Sequence, residues 1–397
     1  MAEKLTLEVL NNAVQNAAAL RCRRILQPAG GTGTKVFPPT YAGAVYAREK
    51  RRLPGRDDPV ECVVIDSVQS QANRMEEALQ EALDSGKIAI PVVEVDFSDA
   101  TSQLIEPIGR LTSLQVPHRI SDAILRDTTL DGVKFRESEW GRKLNTAGCA
   151  NATPVYQICP TALIFGMWDS TGPKGGLGMK IERAVVSEIV AQGVEYAEKN
   201  RGVRRDPLEI RSGVPLQGGS TDWKLAAGAG GKNTFKPSEI NHGSVPFDSD
   251  NAGVTFESAE QHTTLSLIAL RRLRFPVAGN ASRPTDQAAQ TVLAALAIFA
   301  AASAAEKGLD LRSRCLLWPD GPMVWELLEK PGEAPRKFVI TGEAAAALLN
   351  EAVSAAKAAG LAWLDKPLVL KPLSQLVDLV RQSQAATAAS GAEQEKA

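Results

Sequence analysis

The segment Asp66-Ser67-Val68-Gln69-Ser70-Gln71-Ala72-Asn73-Arg74 follows the apolar run Val60–Ile65 and opens a stretch with helical periodicity. Its hydroxyls, amides and single arginine are the residue types that hold a backbone phosphate. With Ser70 at angle zero on a helix, Asn73 and Arg74 share its side, while Met75, Leu79, Ala82 and Leu83 gather on the other. One face then packs into a core. The other presents donors beside a helix start, where free N–H groups and the macrodipole favour an anion. A capped surface helix, with Ser70 or Asp66 as cap, has the same spacing.

Two further segments carry related chemistry. Asp169-Ser170-Thr171-Gly172-Pro173-Lys174-Gly175-Gly176-Leu177-Gly178-Met179-Lys180 is glycine-rich and basic. It follows Val155–Trp168, read as a strand with Trp168 in the core, and precedes a helix over Glu182–Tyr196 that puts Arg183 and Ser187 in its first turns. Ala18–Leu26 alternates, with Leu20 and Cys22 on one face and Arg21 and Arg23 on the other, and the loop after it holds Lys35. From Met1 to Pro59 ten basic residues (Lys4, Arg21, Arg23, Arg24, Lys35, Arg48, Lys50, Arg51, Arg52, Arg56) face five acids (Glu3, Glu8, Glu49, Asp57, Asp58). Acids elsewhere offset them, so the net charge is −1 and the chain as a whole is no generic polyanion binder. Arg21, Arg23 and Lys35 are the electrostatic candidates for a local groove.

Other chemistries find little support. No G-x-x-x-x-G-K-[ST] occurs, and Gly30–Lys35 lacks the third glycine of a dinucleotide fingerprint. No G-x-S-x-G is present, and His118, His242 and His262 lack metal-ligand spacing. No metal, cofactor or catalytic group is expected. Five cysteines without a C-x-x-C pair read as reduced thiols in a cytoplasmic protein, and no signal-peptide pattern opens the chain. The most apolar stretch, Ala288–Ala305, is mostly alanine and reads as a core helix rather than a membrane span. Aromatic content is 5%, so binding of a single strand should rest on phosphate and sugar contacts.

The 397 residues, 44% hydrophobic and 23% charged, support a sizeable core. Strands are predicted at Ala18–Leu26, Val60–Ile65, Ile88–Val95 and Thr263–Phe275, and helices at Thr285–Glu306 and Glu343–Ala359. Thr101–Cys149 reads as an inserted subdomain, Gly218–Phe256 as a long excursion, and residues from 385 as a disordered tail. Strands and helices alternating with long polar interruptions fit an α+β chain with a βαββαβ, ferredoxin-like core better than a doubly wound sheet.

Cys62–Met75 (CVVIDSVQSQANRM), Pro117–Asp127 (PHRISDAILRD), Asn151–Lys180, Arg183–Ile189 (RAVVSEI) and Thr264–Pro276 (TLSLIALRRLRFP) resemble, in this order, the backbone subunit of the type I-G (formerly type I-U) CRISPR effector, a member of the RAMP superfamily. The resemblance covers most of residues 18–280. It implies an RRM-like, ferredoxin-like palm over residues 1–300, with a finger-like insertion near 101–150 and a thumb-like excursion at 216–260. A helical or mixed region at 301–384 and the tail at 385–397 follow. It further implies copies stacked head-to-tail on the CRISPR RNA, which they present to the target DNA strand. The other partners are a large subunit, a guide-processing subunit and a recruited helicase-nuclease; neither catalysis nor a membrane is implied. Carried over, Ser67, Gln69, Ser70, Asn73 and Arg74 contact the RNA backbone, Lys174, Gly175, Gly176 and Lys180 line the same groove, and His118, Arg119 and Arg126 sit in a shared motif. Two other classes compete. One is an RNA-cleaving backbone of type III character using Asp66 or Asp122. The other is a metabolic enzyme binding a phosphorylated ligand.

Overall fold

The computed structural model describes residues 3–43, 45–172, 175, 178–197, 202–204, 206–219, 222–226, 234–243, 245–247, 252–306 and 308–394. Helix α1 (Leu7–Asn16) is capped by the Thr6 hydroxyl and leads into β1 (Ala19–Pro28), β2 (Ala47–Arg51), β3 (Val60–Asp66) and α2 (Val68–Asp84). Then come β4 (Val93–Asp96), β5 (Arg110–Thr112), α3 (Ala123–Arg126), β6 (Thr128–Leu130), β7 (Val133–Lys134), α4 (Glu139–Asn145), α5 (Thr153–Ile158) and α6 (Thr161–Phe165). A short ladder, β8 (Met167–Trp168) with β9 (Lys180–Ile181), precedes the long strand β10 (Val185–Tyr196). Short strands β11 (Gly202–Arg204), β12 (Leu216–Gln217), β13 (Lys224–Leu225), β14 (Thr234–Phe235) and β15 (Val245–Phe247) lead to β16 (Val254–Ser266), α7 (Leu267–Arg271) and α8 (Arg283–Glu306). The chain continues through β17 (Leu309–Arg312), β18 (Cys315–Pro319), β19 (Val324–Leu328), β20 (Arg336–Val339), α9 (Gly342–Ala358), β21 (Leu368–Pro372) and α10 (Ser374–Gln394), which takes in residues 385–394; residues 395–397 lie outside the description.

The protein is α+β, built on a curled antiparallel sheet in the order β17-β18-β1-β16-β10-β3-β2, with β19 also on β1 and β20 on β19. Strands from beyond residue 301 thus hydrogen-bond to the N-terminal strand β1. One apolar core lies between the sheet and the helices and includes Leu20, Cys22, Met75, Leu79, Val185 and Leu265 with most of α8. A second fills the curl, with Leu26, Val63, Ile65, Ile189, Ala191, Leu311 and Leu317. By length and composition α8 could cross a membrane, but 83% of its most apolar window is buried, packed against α1, α2, α7 and α9.

Four stretches depart from the expectations. Of Val155–Trp168 only Met167–Trp168 is strand: α5 and α6 occupy the stretch to Phe165, separated at Cys159-Pro160. The two helices are buried almost all round, so their sequence lacks the polar spacing that tells a helix from a strand. Glu182–Tyr196 is not a helix but holds β10, paired with β16 on one side and β3 on the other. Ile189, Val190 and Ala191 are all buried although successive residues point to opposite faces of the sheet, so burial on both sides hides the two-residue alternation and leaves an apolar spacing that mimics a helix. Ile88–Val95 is a strand only from Val93, since Pro91 lacks the N–H a ladder needs. Finally, the strand predicted over Thr263–Phe275 stops at Ser266, whose hydroxyl accepts from Ala269 N and caps α7. Within Gly218–Phe256 the described residues form short strands before the chain rejoins the sheet at Val254; residues 220, 221, 227–233, 244 and 248–251 lie outside the description.

Candidate nucleic-acid interface

The cap of α2 is Ser67, not Ser70 or Asp66: its hydroxyl accepts from Ser70 N at 3.3 Å. No acid lies in the first turn, and the N–H groups of Val68 and Gln69 precede the first intrahelical bond. Gln69 and Asn73 are exposed and Ser70 is half-buried. A helix start with exposed amides and no acid in its first turn is suited to an incoming phosphate.

Arg74 departs from the expectation that it reaches outward. Its guanidinium bonds Asp66 at 3.0 Å and the carbonyls of Asp310 and Leu311 at 3.3 and 3.0 Å. It ties β3 to β17 and holds the curl shut. Asp66 is buried and is also held by Gln71 at 2.6 Å. Arg74→Ala is therefore expected to cost roughly 2 kcal/mol by leaving a buried carboxylate short of its charged partner. Urea unfolding measures it, and an unchanged midpoint would contradict the clasp.

Arg119 is likewise buried, 7% exposed, in a left-handed backbone conformation with φ of 52°. It forks onto the Glu76 carboxylate at 2.7 and 2.6 Å and donates to the Gly166 carbonyl at 3.2 Å. It positions the interface rather than touching a ligand. Glu76 lies on the same stripe of α2 as Gln69 and Asn73, at i+7 and i+3. Gly166 is the residue before β8. Arg119 thus fastens the exposed stripe of α2 to the base of the β8–β9 ladder, with the exposed His118 beside it. Burial pushes the Glu76 carboxyl up to about 7, against the opposing charge and hydrogen bonds of Arg119 and the charge of Arg183.

Asp169, at the top of the ladder, is gripped by Arg136 at 2.6 and 2.9 Å, and its N–H bonds the Met179 carbonyl at 2.8 Å. Gly178 is required there, because a Cβ would overlap the Asp169 carbonyl oxygen. Lys180 is exposed and Gly175 half-buried; Lys174 and Gly176 lie outside the described residues. Trp168, read from the sequence as core, is 54% exposed.

Arg21 and Arg23 sit on the other face of the sheet. Ser187 and Gln261 reach Gln71 of α2, so their strand neighbours Glu188, Glu260 and His262 point away from the helices. On that open face a groove of about 1470 Å³ is lined by Arg21, Arg23, Arg51, Arg56, Arg336 and Lys337 together with four glutamates. Its cations are matched: Arg21 with Glu326 at 2.8 Å, Arg23 with Glu260, Arg51 with Glu188 at 2.9 Å, and Arg336 with Glu3 at 2.7 Å. Burial alone would raise the Glu260 carboxyl, but Arg23 and His262 outweigh it and hold it below the usual range. The groove lining carries six cations against four glutamates, and it does not form one surface with α2. Lys35 stacks on Phe37 at 5.5 Å, and Arg126 is tied to its neighbour Asp127 at 2.9 Å. Asp122 caps α3 through Ile124 N and also accepts from His118 N.

Glu76, Arg136 and Asp169, which position the interface, were missed in the sequence. Their only signal was an acid or a base in a segment otherwise buried, which a single chain does not reveal.

No curated protein matches this chain. Residues 20–196, which span β1, α2, the Arg119 segment, the β8–β9 ladder and β10, match the family model described as CRISPR-associated protein GSU0053, and that match indicates a CRISPR-associated protein family.

Proposed function

We propose that this chain is the guide-RNA-binding backbone subunit of a type I-G CRISPR surveillance complex, polymerising head-to-tail along the guide and presenting it to target DNA, without cutting it. One observation carries the reading: helix α2, the 117–127 segment and the residue before β8, far apart in sequence, meet where Arg119 bonds Glu76 and the Gly166 carbonyl. Their exposed side chains are amides, an imidazole and an ammonium beside a helix start, and these recognise phosphates whatever the base sequence. A subunit that must hold any guide needs this indifference, with sequence reading left to base pairing. The antiparallel order β18-β1-β16-β10, with α8 between β16 and β18 in the chain, is compatible with an RRM-like palm and supports the reading. RNA cleavage by Asp66 or Asp122 is disfavoured, since both carboxylates are engaged in holding the fold.

The partners are the CRISPR RNA, further copies of the chain, the large and guide-processing subunits and the recruited helicase-nuclease, assembled in the cytoplasm. Open head-to-tail contacts generate helical filaments. Co-expression with partner subunits and repeat–spacer transcripts of increasing length, followed by light scattering, should give masses that rise in whole-subunit steps. A mass independent of spacer length would overturn the reading.

A further inference from the structure

We propose that Trp168 and Lys180 form a stacking site for one unpaired nucleobase, the indole taking the base and the ammonium the adjoining phosphate; this rests on the RNA-binding reading above. The two residues are cross-strand partners in the β8–β9 ladder, so their side chains leave the same face. The Lys180 ammonium lies 5.6 Å from the ring centroid. Trp168 is 54% exposed, whereas its strand neighbours Met167 and Asp169 are each 8% exposed. The ring is therefore outside by construction and not because the ladder is loose.

The mounting is rigid. Arg136 clamps Asp169, the Asp169 N–H closes onto Met179, and Gly166 is anchored through Arg119. An aromatic ring held in place before its ligand arrives loses little conformational freedom on binding. With the ammonium over the indole and the ring 54% exposed, a base can stack on the exposed part of the ring.

The occupant follows from the surroundings. A protein partner prefers a contiguous apolar patch, but the cross-strand neighbour of Trp168 is a lysine and its strand neighbours are buried. A single base needs only one π-face, and its phosphate needs one cation within reach. The exposed His118 and the α2 stripe, tied to the same point by Arg119, continue the anion-binding surface away from the ring. The site is indifferent to base identity, because every base has a π-face.

The test uses the full chain and short fluorescein-labelled oligouridine, followed by anisotropy. Trp168→Ala should weaken binding about 5- to 100-fold, and Trp168→Phe should keep most of the affinity. On the same strand made abasic, wild type and Trp168→Ala should bind alike. Lys180→Ala should reduce the log–log salt dependence by about 0.7. If wild type binds oligouridine and Trp168→Ala binds it equally well, the stacking site is wrong while the RNA-binding reading stands. An equal loss on the abasic strand would also overturn it, reducing Trp168 to a structural part of the ladder. A changed sedimentation mass with RNA affinity intact would make the ring a seat for a second copy. If wild type binds no RNA, the reading beneath the proposal fails and the proposal falls with it.

Discussion

Arg119→Ala should lower stability by about 3–5 kcal/mol, the loss typical when one member of a buried ion pair is removed and its partner is left uncompensated. Arg119 and Glu76 are both almost fully enclosed, and the guanidinium also satisfies the Gly166 carbonyl. Unfolding in urea measures the loss, and a change under about 1 kcal/mol would refute the clamp. The same pair has a pH signature. Burial raises the folded Glu76 carboxyl from 4.5 to about 7, so between those values the folded state holds more proton than the unfolded chain. Stability contributed by this group is present below the lower value and falls as pH rises to the upper one. Glu76→Gln does not titrate. The stability of wild type relative to Glu76→Gln should therefore decline as pH climbs through that window and level off above it. A difference that stays flat with pH would mean that Glu76 is ionised throughout.

Gln69→Ala, Asn73→Ala and Lys180→Ala combined should weaken guide-RNA retention on the order of 100-fold or more, with the melting temperature nearly unchanged. The three side chains are exposed and none is used in the folded core. Each amide contributes a neutral hydrogen bond and the ammonium a charge-assisted one, about 0.5–1.5 and 1.5–3 kcal/mol respectively. Arg74 is left out of this set because its loss would open the curl, confounding affinity with stability. Arg21→Ala with Arg23→Ala serves as the opposite-face control. Those arginines already hold Glu326 and Glu260 and lie across the sheet from α2, so a smaller loss is expected. Filter binding of the assembled complex at several salt concentrations distinguishes the two faces. A dominant effect of the Arg21/Arg23 pair would move the RNA path to the open face.

The stripe Gln69–Asn73 was legible because amphipathic spacing places it opposite Met75 and Leu79, whatever the helix packs on. The strand β1 was legible because its alternation survives where one face meets core and the other solvent. Helices α8 and α9 were also legible, the latter ending at Gly360, whose φ of 88° suits glycine alone. Where burial is two-sided, as in α5, α6 and the middle of β10, the period disappears and the prediction failed.

The sequence by itself determined the α+β class, the polar helix start after β3 and the family resemblance, because each depends on residues close together in the chain. Only the tertiary structure decided which polar residues face outward. Arg74 looks like a phosphate ligand from spacing and Arg119 from the family resemblance, yet both are spent on carboxylates and carbonyls brought near by distant segments. Trp168 looks like core from its apolar run, yet the β8–β9 register turns it out beside Lys180. Local spacing sets the direction of a side chain from its own element. Whether that direction leads to solvent or to a buried partner depends on what the rest of the chain packs there.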